Sequence, residues 1–214
     1  MDLAIVLVAA GASTRMGFPK LWADLAGQPL LAYAVATARS VNPSELIVVV
    51  SSDHLAAAIA LGPEATTVLG GARRRDSVAA GLAASTAPWL AIHDAARALA
   101  PAELFQRGLD AAQATGAAVP VVPLKDTIKR VVDARVVSTP TRAEHFAVQT
   151  PQFFRRDLLA RALAQTDDDV TDEATLVERL GISVAVFPGD DRAMKITTPL
   201  DFTLARAMLT RPGA

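Results

Sequence analysis

Apolar positions fall into short runs with two rhythms. Leu3–Val8 (LAIVLV) and Leu46–Val50 (LIVVV) are unbroken and rich in β-branched residues, and Trp89–Ile92 and Ala117–Val122 read the same way. Runs apolar on both faces predict strands covered on both sides. Thr66–Leu69 and Ser183–Phe187 are shorter candidates of that kind. Between them lie segments with helical spacing. One opens at Pro29 and runs to about Arg39, and another follows Asp53, a candidate N-cap, to about Leu61. Others cover Arg73–Ser85, Pro101–Thr115, Arg155–Gln165, about Asp172–Leu180 and the stretch after Pro199. Strands alternating with helices predict an α/β chain whose mostly parallel sheet is covered by helices on both faces.

The alternation breaks near Pro123. Thr127–Val132 and Arg135–Ser138, separated by Asp133-Ala134, predict a hairpin arm inserted at about residues 125–150. The remainder reads as one domain over residues 1–214, a length ample for a buried core.

Composition narrows the class. With 51% hydrophobic residues and 12 glycines, the chain is neither disordered nor collagen-like. A net charge of −1 argues against a nucleic-acid partner. The absence of cysteine excludes a disulfide framework, a thiolate zinc site and a cysteine nucleophile. Asp2 stands where a signal peptide would be basic, and the run Leu3–Ala10 ends in Gly11. No apolar stretch approaches the roughly 20 residues of a membrane span. A soluble cytoplasmic protein is expected. His54, His93 and His145 lack metal-ligand spacing, and Asp167–Asp169 reads as a solvated loop, so no protein metal site is expected.

Candidate chemistry begins in the loop after the first strand, Ala9-Ala10-Gly11-Ala12-Ser13-Thr14-Arg15-Met16-Gly17-Phe18-Pro19-Lys20. Small residues let backbone N–H groups approach an anion, and a cation toward each end can meet its charge. Neither the G-x-G-x-x-G nor the G-x-x-x-x-G-K-[ST] phosphate motif is present. Loops at the C-terminal ends of strands in open α/β sheets are where ligands bind.

The pattern A-A-G-x-x-x-R-M-G-x-P-K resembles the signature of sugar-phosphate nucleotidyltransferases. Six later blocks resemble 2-C-methyl-D-erythritol 4-phosphate cytidylyltransferases in family order. They are Gly70-Gly71-x-x-Arg74-x-x-Ser77-Val78, His93-Asp94-Ala95-Ala96-Arg97, Asp126-Thr127-Ile128-Lys129, Thr150-Pro151-Gln152-Phe153, Thr171-Asp172-Glu173-Ala174 and Lys195-Ile196-Thr197-Thr198-Pro199. The resemblance implies a Rossmann-like fold and transfer of CMP from CTP to methylerythritol phosphate, releasing pyrophosphate, in non-mevalonate isoprenoid synthesis. It implies Mg²⁺ carried mainly by the CTP phosphates, and a homodimer joined through the arm.

Carried over position by position, the resemblance makes Arg15, Lys20 and Lys195 the catalytic cations. It places CTP against Ala10, Gly11, Gly70, Gly71, Ser77, Asp94 and Ala95. It places the alcohol phosphate against Arg97, Thr127, Arg142, Thr150 and Thr171. Chemistry suits these types: glycines allow close approach to a pyrimidine edge, and transfer at phosphorus needs positioned cations rather than a protein nucleophile. Ser77 either reads the pyrimidine or only caps or lines its helix, and Thr171 and Asp94 have competing roles as caps. Arg73 and Arg75 are expected to be solvated, and His93 to be a packing residue. The short R-M-G-x-P-K form also resembles molybdenum cofactor cytidylyltransferases, and ribitol 5-phosphate cytidylyltransferases share several later blocks. A non-catalytic nucleotide-binding module on the same fold is a further alternative.

Overall fold

The computed structural model describes residues 2–11, 16–168 and 170–210. β1 (Leu3–Val8) is followed by a small ribbon, β2 (Asp24–Leu25) with β3 (Gln28–Pro29), and by α1 (Leu30–Ser40). Then come β4 (Glu45–Val50), α2 (Leu55–Leu61), β5 (Thr66–Leu69), α3 (Arg74–Ala83) and β6 (Trp89–Asp94). α4 (Glu103–Ala112) and β7 (Ala117–Pro123) precede a hairpin of β8 (Arg130–Val132) and β9 (Arg135–Ser138). The remaining elements are β10 (Phe146–Val148), β11 (Gln152–Arg155), α5 (Arg156–Gln165), α6 (Glu173–Arg179), β12 (Ala185–Pro188) and α7 (Pro199–Thr210).

Eight strands form the main sheet in the order β10-β7-β11-β6-β1-β4-β5, with β12 also paired to β7. β1, β4, β5 and β6 run parallel, as do β7 and β12. β11 runs antiparallel between β6 and β7, and β10 continues along β7 in the same sense. The expected α/β sheet is therefore present, with an antiparallel insertion at its middle.

The apolar runs explain the layering. Leu3, Ile5 and Leu7 point into one core with residues of α1, α4 and α7, while Ala4 and Val6 point into a second core with α3, α5 and α6. Period-two alternation thus feeds both faces of a strand whose residues 3–7 are wholly buried. Packing is close where α3 crosses β1. A methyl group on Gly81 would strike the Val6 side chain, which fixes how near that helix lies to the sheet.

Three details depart from the sequence pattern. Asp53 caps nothing: a 3₁₀ turn over Ser52–His54 intervenes, and α2 begins at Leu55 with no side-chain cap. The first arm strand begins at Arg130 rather than Thr127, while Asp133 and Ala134 take the positive φ values, 48° and 59°, that a two-residue hairpin turn requires. β11 has no counterpart among the predicted strands; its four residues pair antiparallel with β6 and β7. No described helix is long and apolar enough to cross a membrane.

Candidate active site

The parallel strands deliver their C-terminal ends to one edge. Val8 pairs with both Val49 and Asp94, and Val50 pairs with Leu69, so the loops after β1, β5 and β6 lie side by side. A cleft of about 310 Å³ opens there, lined by Ala10, Gly11, Lys20, Gly71, Arg73, Arg74, Ser77, Asp94, Ala96 and Lys195, among others. Gly70 sits just behind it. A Cβ built on Gly70 would come within 2.6 Å of both the Ala10 methyl and the Ser77 hydroxyl oxygen, so this glycine lets the first loop and α3 close on each other.

Asp94 ends β6 and anchors the charges. Arg74 places Nε and Nη2 each 3.1 Å from Asp94 Oδ1, and Lys195 donates from Nζ to Oδ2 at 2.7 Å. Burial alone would raise the Asp94 carboxyl. Arg74 and Lys195 more than reverse that and hold it well below the usual carboxylate range. Arg74 also meets Glu173, whose two carboxylate oxygens both lie 2.6 Å from its Nη1. Burial weakens the Arg74 charge, yet Asp94 and Glu173 together lift its guanidinium above its ordinary value. For Glu173, burial wins over the attraction of Arg74 and moves its carboxyl upward.

The antiparallel β11 supports this arrangement from behind. Its register with β6 sets Thr150 beside Asp94, where the Thr150 hydroxyl accepts the Asp94 backbone N–H at 3.0 Å and lies 2.9 Å from His93 Nδ1. Burial pushes the His93 imidazole down to about 4, so it is neutral at neutral pH. The segment after β12 returns across the cleft. Ile196 N–H donates to the Ala96 carbonyl, and Lys20 Nζ donates to the Ile196 carbonyl at 2.7 Å, tying the first loop to the segment that carries Lys195.

Of the residues expected from sequence, Ala10, Gly11, Lys20, Gly71, Ser77, Asp94 and Lys195 line this cleft, and Gly70 shapes it. Arg15 lies outside the described residues. Ala95 is wholly buried with its N–H on the Val8 carbonyl, and its neighbour Ala96 faces the cleft instead. Arg97 donates to the Ala193 carbonyl at 2.7 Å and reaches Val148, so it braces the Lys195 segment against β10. Burial lowers its guanidinium, against the pull of Asp94. Thr150 is buried behind Asp94 rather than open to the cleft. Thr127, Arg142 and Thr171 are exposed and away from this lining, with Arg142 Nη1 on the Lys125 carbonyl. The cap of α6 is Asp172, not Thr171, because the Asp172 carboxylate takes both the N–H and the hydroxyl of Thr175.

One expectation about charge is corrected. Arg75 is buried, donating to the carbonyls of Leu163 and Asp168, and Arg73 bridges Asp76 and Asp167. Asp168 in turn pairs with Arg179. Asp167 and Asp168 are exposed, as expected of a solvated loop, and each also pairs with an arginine, Arg73 at the start of α3 and Arg179 on α6. These carboxylates lie about 90 residues from α3 in sequence, a separation at which local pattern is silent. The buried Glu173 is the residue that sequence reasoning missed. The one signal was its place inside the T-D-E-A block.

The family model described as "IspD: 2-C-methyl-D-erythritol 4-phosphate cytidylyltransferase" matches residues 3–211. The chain belongs to this family. A 2-C-methyl-D-erythritol 4-phosphate cytidylyltransferase of Rhodococcus jostii is 45% identical over 208 residues, covering 94% of this chain and 92% of the relative. One of Nocardia farcinica is 45% identical across 100% of this chain and 96% of its own length. Among solved structures, 4-diphosphocytidyl-2C-methyl-D-erythritol synthase of Anaerococcus prevotii superposes with a TM-score of 0.87 at 27% identity, covering 98% of each chain. The Thermus thermophilus cytidylyltransferase gives 0.81 at 34% identity, covering 96% of this chain and 98% of its own. As a family member the chain is a nucleotidyltransferase, and the family match favours this reading over the molybdenum cofactor and ribitol phosphate alternatives.

Proposed function

We propose that the chain transfers CMP from CTP to 2-C-methyl-D-erythritol 4-phosphate and releases pyrophosphate, in the cytoplasm, as one domain with an arm within residues 125–150. The observation that carries the site is the convergence of Lys20, Lys195, Asp94 and Ser77 on one cleft at the strand ends. An oxygen of the acceptor phosphate attacks the α-phosphorus in line, and the bond to the bridging oxygen of pyrophosphate breaks. Charge moves onto the bridging and equatorial oxygens, where Lys20, Lys195 and Arg15 meet it. No protein nucleophile is needed. Gly71 and Ser77 face the pyrimidine edge, Gly70 lets them approach, and Ala10 and Gly11 complete the CTP side, with Ala95 holding the end of β6 to β1 behind them.

Mg²⁺ fits as an ion carried by the nucleotide. Among the described residues no group of three His, Asp or Glu could hold a metal, and Asp94 is the one carboxylate on the described lining, with cations on both its oxygens. That donor set suits an ion bound chiefly to phosphate oxygens with at most one protein carboxylate. When bound, it neutralises phosphate charge.

The acceptor side is assigned to Thr171 with the arm residues Thr127 and Arg142, brought to the site by a second copy in a homodimer, while Arg97 and Thr150 serve it from behind by holding the Lys195 segment and the Asp94 backbone. Support comes from the arm itself, where Val131, Val132, Val136 and Val137 are all exposed in one chain. The deciding experiment incubates purified protein with CTP, Mg²⁺ and methylerythritol phosphate, ribitol 5-phosphate or molybdopterin, and measures pyrophosphate. Release with methylerythritol phosphate is expected. Release only with another acceptor overturns the substrate, and no release with any favours a non-catalytic nucleotide binder.

A further inference from the structure

Glu173 stands at the end of a string of alternating charges. Its side chain is 0% exposed, Arg74 is 22% exposed, Asp94 10% and Lys195 40%, so the string runs from the interior to the open cleft. Each link is a hydrogen-bonded ion pair: Glu173 to Arg74 Nη1 at 2.6 Å, Arg74 to Asp94 Oδ1 at 3.1 Å, and Asp94 Oδ2 to Lys195 Nζ at 2.7 Å. We propose, building on the nucleotidyl-transfer reading above, that Glu173 is a positioning residue: it holds Arg74 on Asp94 so that Lys195 alone among the string's cations is presented to the transferring phosphate.

The geometry at the N-termini of α6 and α3 favours that role. Asp172 caps α6 through Thr175 and takes a hydrogen bond from Gln152 Nε2 on β11, which fixes the turn from which Glu173 projects. Arg74 opens α3 and lines the cleft, so without a second anchor its long side chain could swing toward a bound triphosphate. As a device for stability, a buried carboxylate–guanidinium pair is a poor one, because desolvation consumes most of the attraction. As a device for geometry it is effective. It divides the charge of Arg74 between two carboxylates and leaves Asp94 oriented, with one oxygen for Lys195.

This makes a distinctive kinetic prediction. If Arg74 is released, it gains a ground-state contact with the nucleotide while Asp94 and Lys195 lose their alignment. Binding is then kept or improved and turnover falls, the pattern of an interaction that matters in the transition state. Glu173→Gln, which keeps size and removes charge, should lower kcat by roughly 10–100-fold, the range seen when a partner that orients a site ligand is removed. KM for CTP should stay the same or fall.

The test measures kcat and KM for Glu173→Gln, Glu173→Asp, Arg74→Met and the double variant Glu173→Gln/Arg74→Met, using pyrophosphate release. If Glu173 acts through Arg74, the double variant loses no more than Arg74→Met alone. Multiplied losses in the double variant, or a kcat for Glu173→Gln within twofold of wild type, overturn the proposal. So does a rise in KM for CTP that accounts for the whole loss. Should Glu173→Gln fail to fold, Glu173→Asp carries the test: it keeps the charge but retracts it by one methylene, and wild-type kcat in that variant overturns the proposal. Wild-type turnover with methylerythritol phosphate is the control that separates the two readings. Its absence removes the substrate assignment, and the cycle is then run on the alcohol phosphate that does turn over.

Discussion

The cleft and the arm are built on opposite physical terms. Around Asp94 the polar groups answer one another: Thr150 takes the Asp94 N–H, His93 meets Thr150, and Glu173, Arg74 and Lys195 close the charges. Every residue of β8 and β9, by contrast, is exposed, including four valines. A lone two-stranded hairpin is marginal in water and gains nothing from valines turned outward. The cleft's charges are thus partnered within one chain, whereas the arm has the composition of a surface that something else covers. Preorganised charge belongs where the chemistry is, and an apolar edge belongs where chains meet.

The sharpest test of the cleft's side of this contrast is Lys20→Ala. The lysine joins the first loop to the Ile196 carbonyl and lines the cleft, so its loss removes a cation already in place. Transition-state stabilisation should drop by about 2.7–4 kcal/mol, read as a fall of about 10²–10³ in kcat. Unchanged turnover would refute the role.

The support behind Asp94 is tested by pH. The His93 imidazole is held down to about 4 by burial, against an ordinary value of 6.5. The unfolded chain therefore takes up a proton that the folded chain refuses as pH falls from 6.5 toward 4. Stability rises with pH across that window and is fully present above it, a contribution of about 3 kcal/mol. Glu173, raised by burial, has the opposite sign near its own titration, and Asp94 adds a loss only below the usual carboxylate range. Urea unfolding of wild type at pH 7, 5.5 and 4.5 should show the fall, and His93→Gln should flatten most of it. An equally steep profile in the variant would mean that other groups carry the acid sensitivity.

Much of the cleft is legible in the sequence. The loop that carries Lys20 is legible from pattern alone, because loops at strand ends are positioned by the strands themselves; Asp94, the Gly70-Gly71 pair, Ser77 and Lys195 are legible through the resemblance of their blocks to the family. What escaped were partnerships across the chain. Glu173 and Arg74 are 99 residues apart, and Arg75 reaches a carbonyl 93 residues away. A charged triplet such as Arg73-Arg74-Arg75 reads as a solvated patch until the fold lays a loop across it. Thr150, just ahead of β11, carries a hydroxyl that takes the Asp94 backbone N–H, a partnership that no local pattern announces. Sequence locates a chemical group, while burial and pairing decide what the group is free to do.

On the arm's side, Arg142→Ala separates the two substrates. Its guanidinium is exposed and, among the described residues, donates to the Lys125 carbonyl through Nη1, which leaves further donors for a phosphate presented by a second copy. Loss of one charged hydrogen bond, about 1.5–3 kcal/mol, should raise KM for the alcohol phosphate by roughly tenfold or more and leave KM for CTP nearly unchanged. Equal loss for both would show that the arm does not serve the acceptor.

The smallest expected effect on the fold, and the one that isolates the arm, comes from Val136→Asp. Val136 pairs with Val131 across the hairpin, and both are more than half exposed. A carboxylate there disturbs no core of its own chain, so the unfolding free energy of the monomer should change by no more than about 0.5 kcal/mol. Across an interface between two copies the same carboxylate would lie against apolar neighbours without a partner, and association should fail. Light scattering should then report a shift from dimer to monomer with an unchanged far-UV spectrum. Because Thr127 and Arg142 would leave with the partner, the monomer should bind CTP nearly as before while turning over poorly. A variant that stays dimeric, or a monomer with full activity, would break the link between the exposed valines and the acceptor side of the site.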